Sequence, residues 1–263
     1  MLLGISSYSF PHAIEIQELS VQGLLRFAIL NNIKYVQFGD NMPLNLLTRE
    51  ELLELKRTTD EAGIQLQVGT KGLTIEHLKQ YLIIAQTLSS PFIRMVIDDD
   101  QYRPAEEEVK QVIKQILPLL KEHDVTLAIE NHDRFASASL QKIILETDPG
   151  LVGICMDTAN SLGAGEGINE VLQTLAPYTV NLHIKDIVIK RVSHKMGFTV
   201  EGVAAGDGML DIPFIISQLD KTGRCQTATL EVWSNPAETT ALTLMKEKQW
   251  VEKSIHYLKK ILV

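Results

Sequence analysis

The chain alternates two patterns from one end to the other. Short apolar, β-prone runs occupy 2–8, 34–40, 64–70, 92–100, 126–132, 152–160, 179–186 and 227–233. Between them lie stretches whose apolar positions recur every three or four residues, the mark of a helix with one buried face. In the first of these, Val21, Leu24, Leu25, Ala28 and Ile29 fall on one side behind Ser20, which suits an N-cap. Thr48 with Glu51 three residues later forms a capping-box pattern, and Gly63 closes the helix that follows. Further helices are predicted at 74–88, 104–123, 137–146, 168–175, 212–221 and 245–261. The helix at 104–123 opens with Pro104 and three glutamates, which favour the positive end of the helix dipole. Residues 187–211 break the rhythm. They read as an extra loop of roughly 25 residues, a length typical of lids and binding loops.

Strict alternation of eight strands and eight helices predicts an α/β fold, a single-domain (β/α)8 TIM barrel spanning 1–263. A doubly wound open sheet is the alternative. It is disfavoured because no glycine-rich phosphate fingerprint follows the first strand. A hydrophobic content of 45% is enough for one large core, and a net charge of −8 argues against a general nucleic-acid or polybasic membrane partner. No apolar run is long enough to span a bilayer, and the opening residues lack a leader pattern, so the expected compartment is the cytoplasm. Cys155 and Cys225 lie in or beside apolar runs and read as buried free thiols.

Four of the strand-like runs end on a ligand-type residue: Glu130, Asp157, His183 and Glu231, spaced 27, 26 and 48 residues apart. One βα unit takes about 25–35 residues, so these are read as the C-terminal tips of successive strands. Any one of them alone is more simply a loop contact, a cap or a core histidine. Together they form an oxygen-rich set for one divalent metal. His132 and Lys185 each lie two residues beyond a tip and share its side of an extended strand, which makes them substrate-facing candidates. Asn160 and Trp233 are further candidates for substrate contact. Ser6, Ser7 and Tyr8 suit the floor of a pocket. Gly206-Asp207-Gly208 reads as turn chemistry, residues 98–100 as a solvated acidic loop, and His77 and His256 as solvated helix residues.

The series AIENH, MDTAN, LHIKD, GDG and LEVW resembles the xylose isomerase-like TIM-barrel superfamily, over essentially the whole chain. The resemblance implies one bound divalent ion, with Mn2+ first and Mg2+, Co2+ or Zn2+ as alternatives, held by Glu130, Asp157, His183 and Glu231. It also implies that Glu130 and Glu231 act as acid/base residues on opposite faces of a small carbohydrate substrate. The expected reaction is sugar isomerisation or epimerisation, in which a proton is taken from the carbon beside a carbonyl through a metal-stabilised enediolate. A homo-oligomer is compatible with this reading; a nucleic-acid partner is not.

The chain departs from the ketose 3-epimerase pattern. Asn160 and Ile189 stand where that branch has a histidine and an arginine, and Gln37 stands where many relatives have a glutamate. These departures keep a lyase or dehydratase acting on a keto-sugar or keto-inositol as the alternative. The DNA-repair branch is disfavoured by missing histidines and by the acidic charge. A non-catalytic ligand-binding barrel is the alternative from another class.

Overall fold

The chain's structure is a computed structural model that describes residues 1–262; Val263, the last residue of the expected domain, lies outside the described residues. Ten strands form: β1 (Leu2–Ser6), β2 (Tyr35–Phe38), β3 (Gln65–Lys71), β4 (Phe92–Val96), β5 (Thr126–Glu130), β6 (Val152–Asp157), β7 (Thr179–Ile184), β8 (Asp186–Arg191), β9 (Phe198–Val203) and β10 (Thr227–Leu230). Strands β1–β7 and β10 close into a parallel barrel in the order β1-β10-β7-β6-β5-β4-β3-β2. Among the described residues nine α-helices accompany them: α1 (Pro11–Glu15), α2 (Val21–Leu30), α3 (Arg49–Ala62), α4 (Ile75–Leu88), α5 (Glu106–His123), α6 (Ser137–Leu145), α7 (Ile168–Leu175), α8 (Ile212–Asp220) and α9 (Thr240–Ile261).

The helix signals act as their chemistry demands. Thr48 and Glu51 satisfy each other's backbone N–H groups, and Gly63 takes the left-handed conformation that ends α3. Pro104 falls ahead of α5 rather than inside it, so the three glutamates alone occupy the first turn. Helix α9 starts at Thr240, earlier than the predicted 245, because Thr239 caps it through the Leu242 N–H.

Outward-facing residues of the barrel strands, such as Val36, Leu66, Ile93, Leu127, Ile154 and Leu182, are buried under the helices and form the main core. Alternate residues point into the barrel, and there the filling is polar. Gln37 donates to Gln67 Oε1 and Asn181 Oδ1, each at 3.2 Å. Asn181 Nδ2 donates to the hydroxyls of Thr227 and Thr229 at 2.7 and 3.0 Å. This layer is the base on which the strand tips stand.

The stretch 187–211 corrects the expectation of an irregular loop. Its first part is an antiparallel ribbon in which β8 pairs with β9 from Asp186↔Val203 to Arg191↔Phe198. The β-branched runs on both sides of a short turn, which contains Lys195 at φ +63, account for it. Among the described residues no helix is long and apolar enough to cross a membrane.

Candidate active site

The C-terminal ends of the barrel strands open into a cavity of about 530 Å³. The register sets Asp157 beside His183 and His183 beside Thr229, which brings residues far apart in the chain together. One ligand atom from each of Asp157, His183 and Glu231 lies within 4.8 Å of the others. Glu130 joins His183 and Cys155 in a second such group, with Glu130 Oε2 3.4 Å from His183 Nδ1.

The orientation of His183 follows from the polar layer beneath it. The amide nitrogen of Gln37 is committed to two acceptor oxygens, so Gln37 Oε1 must accept from His183 Nε2–H, at 2.7 Å. In the neutral ring this leaves the Nδ1 lone pair facing Glu231 Oε1 at 3.3 Å. His183 Nδ1, Asp157 Oδ2 and Glu231 Oε1 are all buried without a hydrogen-bond partner among the described residues. Three bare acceptors turned toward one another repel unless a cation lies among them.

Two cations, the partly buried Lys185 and the buried Arg94, answer part of that demand. Lys185 Nζ is 2.9 Å from Asp157 Oδ2 and 3.2 Å from Glu231 Oε2. The first contact is an ion pair that answers Asp157 Oδ2 and leaves His183 Nδ1 and Glu231 Oε1 without a donor. Burial works against the charge on Lys185, but Asp157, Glu231 and Glu130 outweigh it and push its pKa up. Arg94, on β4, donates through Nε to Glu130 Oε2 and through Nη1 to Asp40 Oδ1 at 3.2 Å. Burial opposes its charge too, and Glu130, Glu231 and Asp40 more than offset it. Burial would push Glu231 up; against it stand His183 whenever its ring is protonated, Lys185 and Arg94, and its carboxyl is held well below the usual range. The three buried carboxylates share the buried Arg94 and the partly buried Lys185, and the partly covered Asp40 meets Arg94 and, at 3.8 Å, Lys71, so the carboxylates still outnumber the cations. A divalent ion fits both that excess and the bare donor set.

The other sequence candidates divide. Asn160 donates to Glu130 Oε1 at 2.8 Å and accepts from Lys185 Nζ at 3.1 Å, so it ties the two sides of the site together. His132 lines the cavity, half exposed, with Nδ1 2.6 Å from Asp133 Oδ1. Trp233 lies outside the cavity lining, where its backbone packs against Gly202 of β9; a Cβ on that glycine would come within 1.9 Å of the Trp233 carbonyl. Cys155 and Cys225 are free and buried, and burial raises both thiols, that of Cys225 to about 12.

Two expectations are corrected here. Residues 98–100 are not simply solvated: Asp98 takes a two-pronged contact from Arg134, and all three aspartates line the cavity. His77 is half-buried, with Nε2 2.7 Å from Thr70 Oγ1. Sequence reasoning missed Arg94 and Asp40. Their only signals were one cation within the apolar run FIRMV and an aspartate one residue past Gly39 at the end of the second strand.

The closed barrel agrees with comparisons to known proteins. The chain is 28% identical over 261 residues to a 3-oxo-isoapionate decarboxylase of Pectobacterium atrosepticum, with 98% of this chain and 95% of that protein covered. It is 24% identical to the L-ribulose-5-phosphate 3-epimerase of Escherichia coli, with 86% and 76% covered. Among solved structures, the IOLI protein with a bound zinc atom superposes with a TM-score of 0.71 at 17% identity, with 100% and 99% covered. Residues 31–261 match the family described as xylose isomerase-like TIM barrel, and the chain belongs to that family.

Proposed function

We propose that this protein is a lyase of carbohydrate metabolism that removes carbon dioxide from a 3-oxo sugar acid. The observation that carries this reading is the state of Glu130. Both of its oxygens already accept hydrogen bonds, from Arg94 and from Asn160. A two-base epimerase needs two carboxylates free to exchange protons on opposite faces of one carbon. Here Glu130 is locked as an anion-bearing brace, and the groups left to act are Lys185, Arg94 and Glu231.

Decarboxylation suits that inventory. When the bond to the carboxylate carbon breaks, its electron pair moves through the adjacent carbon onto the ketone oxygen, and carbon dioxide leaves. Charge then grows on that oxygen, and preorganised cations in a dry site stabilise it strongly. Lys185 and Arg94 are such cations. The Lys185 ammonium can then return one proton to the carbon, and water reprotonates the lysine. A divalent ion held by Asp157, His183 and Glu231, with Glu130 as the fourth ligand, would add Lewis-acid polarisation of the ketone. The likeness to 3-oxo-isoapionate decarboxylase supports the same substrate class.

Isomerisation or epimerisation is the second reading. Glu231 Oε1 favours it, because a buried carboxylate oxygen with no donor is free to take a proton from carbon. In both readings the enzyme is a single domain over 1–263 that works in the cytoplasm on a small carbohydrate, with Mn2+ as the first ion to try.

Metal content of the wild type and of His183→Ala, purified without chelator, is the first measurement. About one divalent ion per chain, lost in the variant, is expected from the donor set. Release of carbon dioxide from a 3-oxo sugar acid supports the lyase. Exchange of a carbon-bound proton with D2O, without carbon dioxide, would replace it with the isomerase. Neither activity in the metal-loaded protein would leave a barrel kept for binding.

A further inference from the structure

In α/β barrels, phosphate is commonly held near strands seven and eight by free backbone N–H groups and a helix N-terminus. In this chain those donors are already used. Asp186, two residues past the end of β7, is buried. Its Oδ2 accepts from the Gly206 and Gly208 N–H groups at 2.9 Å each. Its Oδ1 accepts from Ile187 N at 2.9 Å and Leu210 N at 3.3 Å. The turn is built for this purpose: Gly206 has φ +91, and a Cβ on Gly208 would fall 1.9 Å from Asp186 Oδ1. Asp207 points away from the nest, to Lys253 at 2.6 Å. The helix that follows, α8, is capped by Asp211, and Pro213 in its first turn has no N–H to offer. The chain's own carboxylate fills the nest that would otherwise take a phosphate.

The cations around the cavity are nearly all engaged as well. Lys71 lies 3.3 Å from Asp100, Arg134 holds Asp98, and Arg94 and Lys185 hold the floor carboxylates. Arg103 is the exception. It lines the cavity and is exposed, yet has no ion-pair partner among the described residues. Asp133 feels the charge of Arg103, but its carboxylate is bonded to His132 and lies beyond ion-pair distance of the guanidinium. One free guanidinium matches one carboxylate, through two parallel N–H donors. A phosphate ester carries about −1.5 to −2 charge near neutral pH and asks for more donors than this rim has free.

We infer that the cavity takes an unphosphorylated sugar acid and that Arg103 is the specificity-determining residue that receives its carboxylate. This rests on the cavity being the substrate site, but not on which bond is broken there.

The test is calorimetric titration of the metal-loaded protein with three four-carbon probes: L-threonate, erythritol and D-erythrose 4-phosphate. Threonate binds about tenfold tighter than either of the others, a difference of about 1.4 kcal/mol. Arg103→Ala, at an exposed position that does not threaten folding, weakens threonate about five- to tenfold and leaves erythritol unchanged. Arg103→Lys, which keeps the charge but loses the fork, falls between the two. Erythrose 4-phosphate binding as tightly as threonate, no binding of threonate, or an Arg103→Ala variant with wild-type threonate affinity would each overturn the inference. The catalytic reading fails separately. Threonate held through Arg103, with no carbon dioxide released from a 3-oxo sugar acid, sinks the lyase and leaves this assignment standing; carbon dioxide released from that 3-oxo acid with Arg103 indifferent does the reverse.

Discussion

Two buried acidic environments lie three residues apart along the chain, and they are solved in opposite ways. Asp186 is surrounded by backbone N–H groups, so its charge is met by neutral donors in fixed positions. The group around His183 has few such donors. Asp157 Oδ1 accepts from Ala159 N and Asn160 N, but Asp157 Oδ2, Glu231 Oε1 and His183 Nδ1 have none. A carboxylate whose lone pairs are all answered by the backbone is part of the scaffold. One left bare beside others needs a cation, and that need is what a binding or catalytic site can use.

Lys185→Met gives the largest expected effect. The side-chain bulk stays, but the charge between Asp157 and Glu231 is lost. Turnover should fall about 10²–10⁴-fold, the usual range for one acid/base or charge-stabilising group. Steady-state kinetics with circular dichroism for folding measures it; an unchanged turnover would remove Lys185 from the chemistry. Arg94→Leu comes next, and it tests stability. It strips Glu130 and Asp40 of their buried partner and should cost about 3–5 kcal/mol. A urea titration reads the loss, and a midpoint within error of the wild type would mean that another cation already neutralises Glu130. The smallest expected effect belongs to the scaffold side. Gly208→Ala forces a methyl onto Asp186 and should cost about 1–3 kcal/mol while leaving metal content intact. If metal were lost together with that stability, the two environments would be one unit, and the contrast between them would collapse.

Much of this arrangement is legible along the chain because it is periodic. Each ligand-type residue sits within one residue of the end of its strand, and Asn160 and Lys185 follow Asp157 and His183 at short offsets. Arg94 escaped because a single cation within FIRMV carries no period, and its partners lie elsewhere, Glu130 on β5 and Asp40 in the turn after β2. Gln37 could be noted as a departure, but its role depends on Gln67 and Asn181 fixing which end of the amide faces His183. The ribbon β8–β9 was missed because a hairpin inserted into a βα loop has no place in the alternation that predicts the rest. Trp233 follows Glu231 by two residues, and only the fold shows that its backbone is held against Gly202 of β9.

By itself, then, the order of apolar and polar residues determined the barrel and the residue types gathered at the C-terminal ends of its strands. Those properties depend on local periodicity and capping, which the chain spells out residue by residue. Only the tertiary structure decided which charges neutralise one another. Arg94 braces Glu130, Lys185 joins Asp157 to Glu231, Asp186 consumes the backbone donors of its loop, and Arg103 is left free. Coulomb energy and hydrogen bonding depend on distances across the barrel, and those distances are set by strand register, which no single segment of the chain records.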